Sequence, residues 1–228
     1  MSELETIAAS RPLRKDAARN RELLIDAARE VFAERGLEAT LDDVAHHAGL
    51  GVGTAYRHFS NKYELLSALM DQMIEQFVAG AERAIAVEDP WQGLVDFLED
   101  ALSSQVNDRG LRHVLMGFHD PDKFDKIHDQ LSGMLEQVLG RAKRAGAVRA
   151  DIGPSDIGFL IAMLCTVADI ADNTAPDLWR RYLALSLEGL KPGGPALPAT
   201  ALTDPEFRKA MANHKQTMSR NLLSPNSR

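Results

Sequence analysis

At 228 residues with 45% hydrophobic content, the chain is long enough to bury a sizeable core in one domain or two. Its net charge of −7 argues against a surface that is basic all over, and its single cysteine excludes an intramolecular disulfide. The first ten residues carry two glutamates and no apolar run, so the expectation is of no signal peptide and of a soluble, cytoplasmic protein.

Alanine, leucine, glutamate and arginine dominate and aromatics are only 6%, so the chain is expected to be all-α. Residues 1–14 read as a flexible basic arm containing Arg11, Pro12 and Arg14. From Asp16 onward Leu24, Ala27, Ala28, Val31 and Phe32 recur at three- and four-residue spacing, the apolar face of a first helix that Gly36 ends. Thr40 followed by Asp43 has the spacing of a capping box, and Leu41, Val44, Ala45 and Ala48 give a second, short helix its stripe. Gly49-Leu50-Gly51 breaks it. A third short helix spans 52–58, and Ser60 or Asn61 caps a long fourth helix over about 61–87. Five more helices are expected at about 91–106, 109–117, 121–145, 154–173 and 177–190, making about nine. Residues 191–203 form a Pro/Gly/Ala linker, followed by one more amphipathic segment from Asp204 to about Met218.

The charge is unevenly placed. Arg11, Arg14, Lys15, Arg19 and Arg21 face only Asp16 within 10–21, and Arg57, His58 and Lys62 form a second basic cluster. Two short helices joined by a glycine-containing turn match a helix-turn-helix, whose second helix enters the major groove. Leu50, Ala55 and Phe59 suit a small core, leaving Val52, Gly53, Tyr56 and Arg57 on the other side. Thr54, Tyr56, His58 and Lys62 are donors of the kind that fix register on phosphates. The basic segment near Arg19 reads equally as a solvated helix start or as an arm on phosphate or in a minor groove.

The stretch AAREVFAERGLEATLDDVAHHAGLGVGTAYRHFSNKYELLSAL, within 25–69, resembles the DNA-binding signature of TetR-type transcriptional regulators, most specifically in GTxYRHFxxKxxLL. Carried over position by position, the resemblance implies phosphate contacts from Thr40, Thr54, Tyr56, His58 and Lys62. It implies positions near the bases for Val52, Gly53, Tyr56 and Arg57. Ala55 stands where a larger apolar residue is usual, and Tyr63 where an acidic one is. The implied organisation is a helix-turn-helix domain over 15–62, a linking helix over 61–87, a ligand-binding and dimerisation domain over 88–190 and a tail over 191–228. The implied partners are a palindromic double-stranded operator, a second copy of the chain and a small-molecule effector that releases a repressor. A ligand-insensitive or activating regulator is the alternative, and a helical metal-binding protein or enzyme is the less favoured reading.

Two apolar segments of the body support a dimer. Residues 157–170 are apolar on nearly every face, too short to cross a bilayer and too wide for one subunit to cover. Phe159, Met163 and Val167, with Leu178, Trp179, Tyr182 and Leu183 from the last body helix, are the expected interface. Trp91, Phe97, His113, Met116, Phe118, Phe124, His128, Met134, Cys165 and Asp169 are candidates for lining a ligand site. The dense run from His119 to Asp129 places Asp125 at helical spacing from His128 and Asp129. That reads better as helix capping than as a metal site. Neither a nucleophile motif nor a phosphate loop accompanies Cys165, so no catalytic residue and no cofactor is expected.

Overall fold

The computed structural model describes residues 3–108, 112 and 121–223, with side chains placed for 16–36, 38–108, 112 and 125–213. Among the described residues it is all-helical. Helix α1 (Glu3–Arg35) buries Leu24, Ala27, Ala28, Val31 and Phe32, the face expected from their spacing, together with Ile25. It begins well before Asp16. Residues 3–14, expected as a flexible arm, continue the helix, since alanine, leucine and glutamate are good helix formers and Pro12 is the one strong breaker there. Gly36, at φ 64°, ends α1 in a left-handed conformation that glycine adopts without a Cβ penalty. One 3-10 turn (Gly36–Glu38) leads into α2 (Leu41–His47).

The remaining helices are α3 (Val52–His58), α4 (Lys62–Ala86), α5 (Pro90–Asn107), α6 (Pro121–Arg144), α7 (Pro154–Ala171), α8 (Leu178–Leu190) and α9 (Asp204–Leu223). Of the helix expected at 109–117 only Arg112 is described, and it is helical.

The chain divides into two compact units. The first holds α1 to α3, the beginning of α4 up to Met73, and Asp108 and Arg112 from the segment after α5. In it Arg29 of α1 makes an ion pair with Asp108 and donates to Gln72 Oε1 at 2.8 Å. The second unit holds α4 from Ile74 onward together with α5 to α9. The division falls inside α4, whose Leu65, Leu66, Leu69 and Met70 are buried.

The core of the second unit is a continuous apolar cluster. Leu94, Phe97 and Leu98 of α5 meet Leu135, Val138 and Leu139 of α6, Ile157, Leu160 and Leu164 of α7, and Trp179 and Leu183 of α8. Gly93 is required where α5 passes α4, since a Cβ there would overlap the Ala84 carbonyl oxygen. Arg141 of α6 closes the end of α4 by donating to the carbonyls of Ala84, Val87 and Glu88.

The dimer-face assignment needs one correction. Trp179 and Leu183 are 2% and 1% exposed, filling the core of their own subunit. Four-residue spacing places them on one stripe of α8 with Leu187, while Tyr182 and Leu185 lie on the other side and stay exposed. An apolar run on both faces of a helix does not reveal which face its own subunit takes. On α7 Met163 and Ile170 are exposed, Val167 is half-buried, and Phe159 is edge-on to Phe207 of α9 at 5.0 Å.

Candidate nucleic-acid interface

Three local devices fix the geometry of α2 and α3. The first is the capping box: Thr40 Oγ1 accepts from the Asp43 backbone N–H at 3.1 Å, and Asp43 Oδ2 accepts from the Thr40 N–H at 2.8 Å. The second is a Schellman turn at the end of α2. Leu50 N–H donates to Ala45 carbonyl at 2.9 Å and Gly49 N–H to His46 carbonyl at 3.1 Å, with Gly49 at φ 66°. The third is the pedestal under α3, where Ala55 and Phe59 are buried at 0% and 3% and Leu50 is half-buried. Ala55 is small and fully buried, and α3 contacts both α1 and α2.

These devices leave Gly53, Tyr56 and Arg57 exposed on α3, with Val52, Thr54 and His58 half-buried at its flanks. A Cβ at Gly53 would meet nothing within 4 Å, so the protein itself does not require glycine there. The negative charge of Asp42 on α2 pushes the pKa of the Tyr56 phenol above the usual 10. Beneath the helix the guanidinium of Arg21 lies over the Phe59 ring at 5.3 Å, tying α1 to the pedestal.

Not every expected phosphate contact is equally placed. The hydroxyl of Thr40 donates its one proton to Asp43 Oδ2 at 2.7 Å, leaving none for phosphate in this arrangement. Its role here is to start α2, and its two bonds hold the Asp43 carboxyl below the usual range. Lys62 Nζ donates to the Ala39 carbonyl at 3.1 Å, fastening the beginning of α4 to the loop before α2. Asn61 caps α4, its Oδ1 accepting from Glu64 N–H at 3.0 Å. His47 is bonded to Glu30 at 2.7 Å, while His46 is exposed. Arg19 is exposed on α1, and the side chain of Arg14 lies outside the described residues.

Of the candidate ligand-site residues, Phe97 and Cys165 belong to the core of the second unit, with Trp91 and Met134 packed against it. Phe97 is core, packed edge-on against Phe77 at 4.9 Å. Trp91 is half-buried beneath the Lys191 ammonium, and Met134 is half-buried against the same core. Cys165 is buried, its Sγ 3.7 Å from Gln105 Oε1. Asp169 is on the exposed side of α7. The side chains of His113, Met116, Phe118 and Phe124 lie outside the described residues.

Asp120, the expected cap, lies outside the described residues, while the described part of the run has partners on α9. Asp125 and Asp129 both pair with Arg208 of α9, and His128 bonds Asp204 at 2.6 Å. Among the described residues no group of three ligating side chains is arranged to hold a metal. Sequence spacing could not supply Arg208 or Phe207, which lie 79 or more positions away from the α6 residues they meet. Asp42 was equally hidden, because its partner is on another helix.

Comparison with known proteins agrees with this geometry. Residues 24–69 match the family model of bacterial regulatory proteins of the tetR family, and residues 89–192 match that of the SbtR-like transcriptional regulator C-terminal domain. Over 90 residues the chain is 34% identical to the uncharacterised HTH-type transcriptional regulator TtgW of Pseudomonas putida, covering 39% of this chain and 67% of that one. Other curated relatives are matched over less than half of their own length. The crystal structure of a TetR transcription regulatory protein from Mycobacterium vanbaalenii superposes with TM-score 0.59 at 31% identity, over 79% of this chain and 99% of that one. SmeT, the repressor of the Stenotrophomonas maltophilia multidrug efflux pump SmeDEF, superposes with TM-score 0.57 at 25% identity, over 80% and 96%.

Proposed function

The chain belongs to the TetR family of transcriptional regulators, a non-enzymatic DNA-binding family, and on that premise we propose that it is a cytoplasmic homodimeric repressor released from a palindromic operator by a small molecule. The observation that carries the DNA reading is the exposed edge of α3, with Gly53, Tyr56 and Arg57 held outward on the buried pedestal of Ala55 and Phe59. In this reading Val52, Gly53, Tyr56 and Arg57 approach base edges, while Thr54, His58, Lys62, Arg19 and Arg14 serve phosphates. Thr40 contributes through the start of α2.

The partner is a second copy of the chain. Ile170 at 81% exposed and Met163 at 59% on α7, with Leu185 at 59% and Tyr182 at 43% on α8, form an apolar surface suited to a four-helix interface about a twofold axis. Two recognition helices related by that axis would read half-sites one helical turn apart.

Release by a ligand requires that the ligand prefer a state unable to bind operator, and operator must then weaken ligand binding by the same factor. The experiment is a thermal-shift screen of a diverse small-molecule library on the full chain, with each hit added to an operator titration. Hits that raise the melting temperature and weaken operator binding in proportion to their concentration support the reading. Hits that stabilise the protein and leave operator affinity unchanged overturn ligand release and favour a ligand-insensitive regulator.

A further inference from the structure

Neither family match reaches past residue 192, yet the residues that follow are seated on the second unit in a regular way. From Pro195 to Phe207 the chain runs beside the approach to α7 and its first turns, in parallel order. Arg149 donates to the Pro195 carbonyl, Asp151 Oδ2 accepts from the Leu197 N–H at 3.3 Å, and Ser155 Oγ donates to the Leu202 carbonyl at 2.8 Å. Phe207 comes next, edge-on to Phe159 at 5.0 Å. Gly158 leaves room for it, since a Cβ there would stand 2.8 Å from the Phe207 ring.

On α7 these contacts fall at the head of one stripe. Ser155 and Phe159 are followed at three- and four-residue spacing by Ala162, Thr166 and Ile170, which share one side of the helix. The head of the stripe is covered: Ser155 is buried and bonded to the C-terminal segment. The remainder is bare, with Ala162, Thr166 and Ile170 exposed and Met163 exposed beside them. The covering segment is itself apolar on its outer side, where Leu197 and Leu202 are 40% and 39% exposed. Among the described residues, every exposed large hydrophobic side chain of the second unit belongs to α7, α8 or this segment: Met163, Ile170, Tyr182, Leu185, Leu197 and Leu202.

We propose that the surface through which a second copy of the chain binds does not end with α7 and α8 but continues onto residues 195–207, with Leu197 and Leu202 packed against the partner. The proposal rests on the homodimer reading above and adds to it a stretch that neither family match contains. Two observations carry it. The bare part of α7 leads along one stripe directly to the part that the segment covers, so the apolar surface is continuous from Ile170 to Leu202. In addition, a stable interface takes on the order of 800 Å² and about 20–30 residues from each copy, and α7 and α8 together expose fewer residues than that. The segment supplies more surface of the same character. About a twofold axis each of its leucines would leave water twice, once from each copy.

Analytical ultracentrifugation of the full-length protein tests this, comparing wild type with the double variant Leu197→Glu, Leu202→Glu. Because each buried charge would appear twice, the dimer dissociation constant is expected to rise roughly tenfold or more while circular dichroism still reports a folded helical chain. A dimeric wild type with a folded double variant whose dissociation constant stays within about threefold overturns this surface alone and leaves the homodimer standing. A wild type that sediments as one chain at micromolar concentration overturns the homodimer and this surface with it. Should the glutamates unfold the chain, Leu202→Cys gives the second reading through its rate of alkylation by a maleimide, measured above and below the dimer dissociation constant. Cys165 is buried and serves as the slow internal reference. Alkylation at position 202 is expected to be roughly tenfold slower in the dimer, and equal rates in the two states overturn the proposal.

Discussion

Tyr56 of α3 sits in the field of the Asp42 carboxylate on α2, whose negative charge raises the pKa of the phenol. A phosphate approaching Tyr56 meets that same negative charge. Asp42→Asn is therefore expected to tighten operator binding several-fold, with most of the gain at low salt, whereas Tyr56→Ala weakens it; fluorescence titrations at several salt concentrations measure both. Equal affinity for Asp42→Asn and wild type at low salt would contradict the repulsion. In the second unit, Arg149 holds the Asp151 carboxyl down to about 2, chiefly through its hydrogen bonds. A depressed carboxyl pKa stabilises the fold above its unfolded value near 3.9, and that contribution is lost as pH falls toward about 2. NMR titration should place the Asp151 midpoint near 2 in the wild type and return it toward the ordinary value in Arg149→Ala. The Thr40–Asp43 box was legible in the sequence because both partners lie within one turn. The pairs of Asp42 with Tyr56 and of Asp125 with Arg208 were not, because they join different helices.

At the scale of the helix, boundaries marked by caps and glycines came through well: α2 starts at its capping box, α3 follows the Gly49 turn, and α7 starts at Pro154. Facing was less legible where a helix is apolar all round. On α8 the stripe of Trp179 and Leu183 is core and the stripe of Tyr182 and Leu185 is exposed, so substitutions on the two sides should separate stability from assembly. Trp179→Ala is expected to cost about 3–5 kcal/mol of folding stability. Leu185→Glu should leave the melting temperature of the single chain nearly unchanged, but it should split the dimer, because the added charge would be buried twice across a twofold axis. Light scattering should give twice the 25.0 kDa chain mass for the wild type and one chain mass for Leu185→Glu. A Leu185→Glu protein that remains dimeric would move the interface away from this face.

For the whole molecule, the proposed function asks two separable units to act on one DNA site. The all-helical class and the reading head were legible because they rest on local periodicity, capping and a specific motif. The place where the chain passes from one unit to the other was not, since α4 is a continuous helix with no breaker at Met73 to mark it. The Asp108 pairing with Arg29 was hidden for the same reason as the other long-range pairs. The central claim is that two copies of α3 read a symmetric DNA sequence. Arg57, exposed at the end of α3, is the side chain best suited to a bidentate base contact, which typically contributes about 1–3 kcal/mol of discrimination. The most direct measurement is selection of bound duplexes from a random DNA pool, carried out in parallel with wild type and Arg57→Ala. The expected result is an inverted repeat with half-site centres about one helical turn apart, bound by two chains, whose preference at one symmetric pair of positions relaxes in Arg57→Ala. Retention of DNA without sequence enrichment, or enrichment of an asymmetric site that Arg57→Ala leaves unchanged, would contradict it.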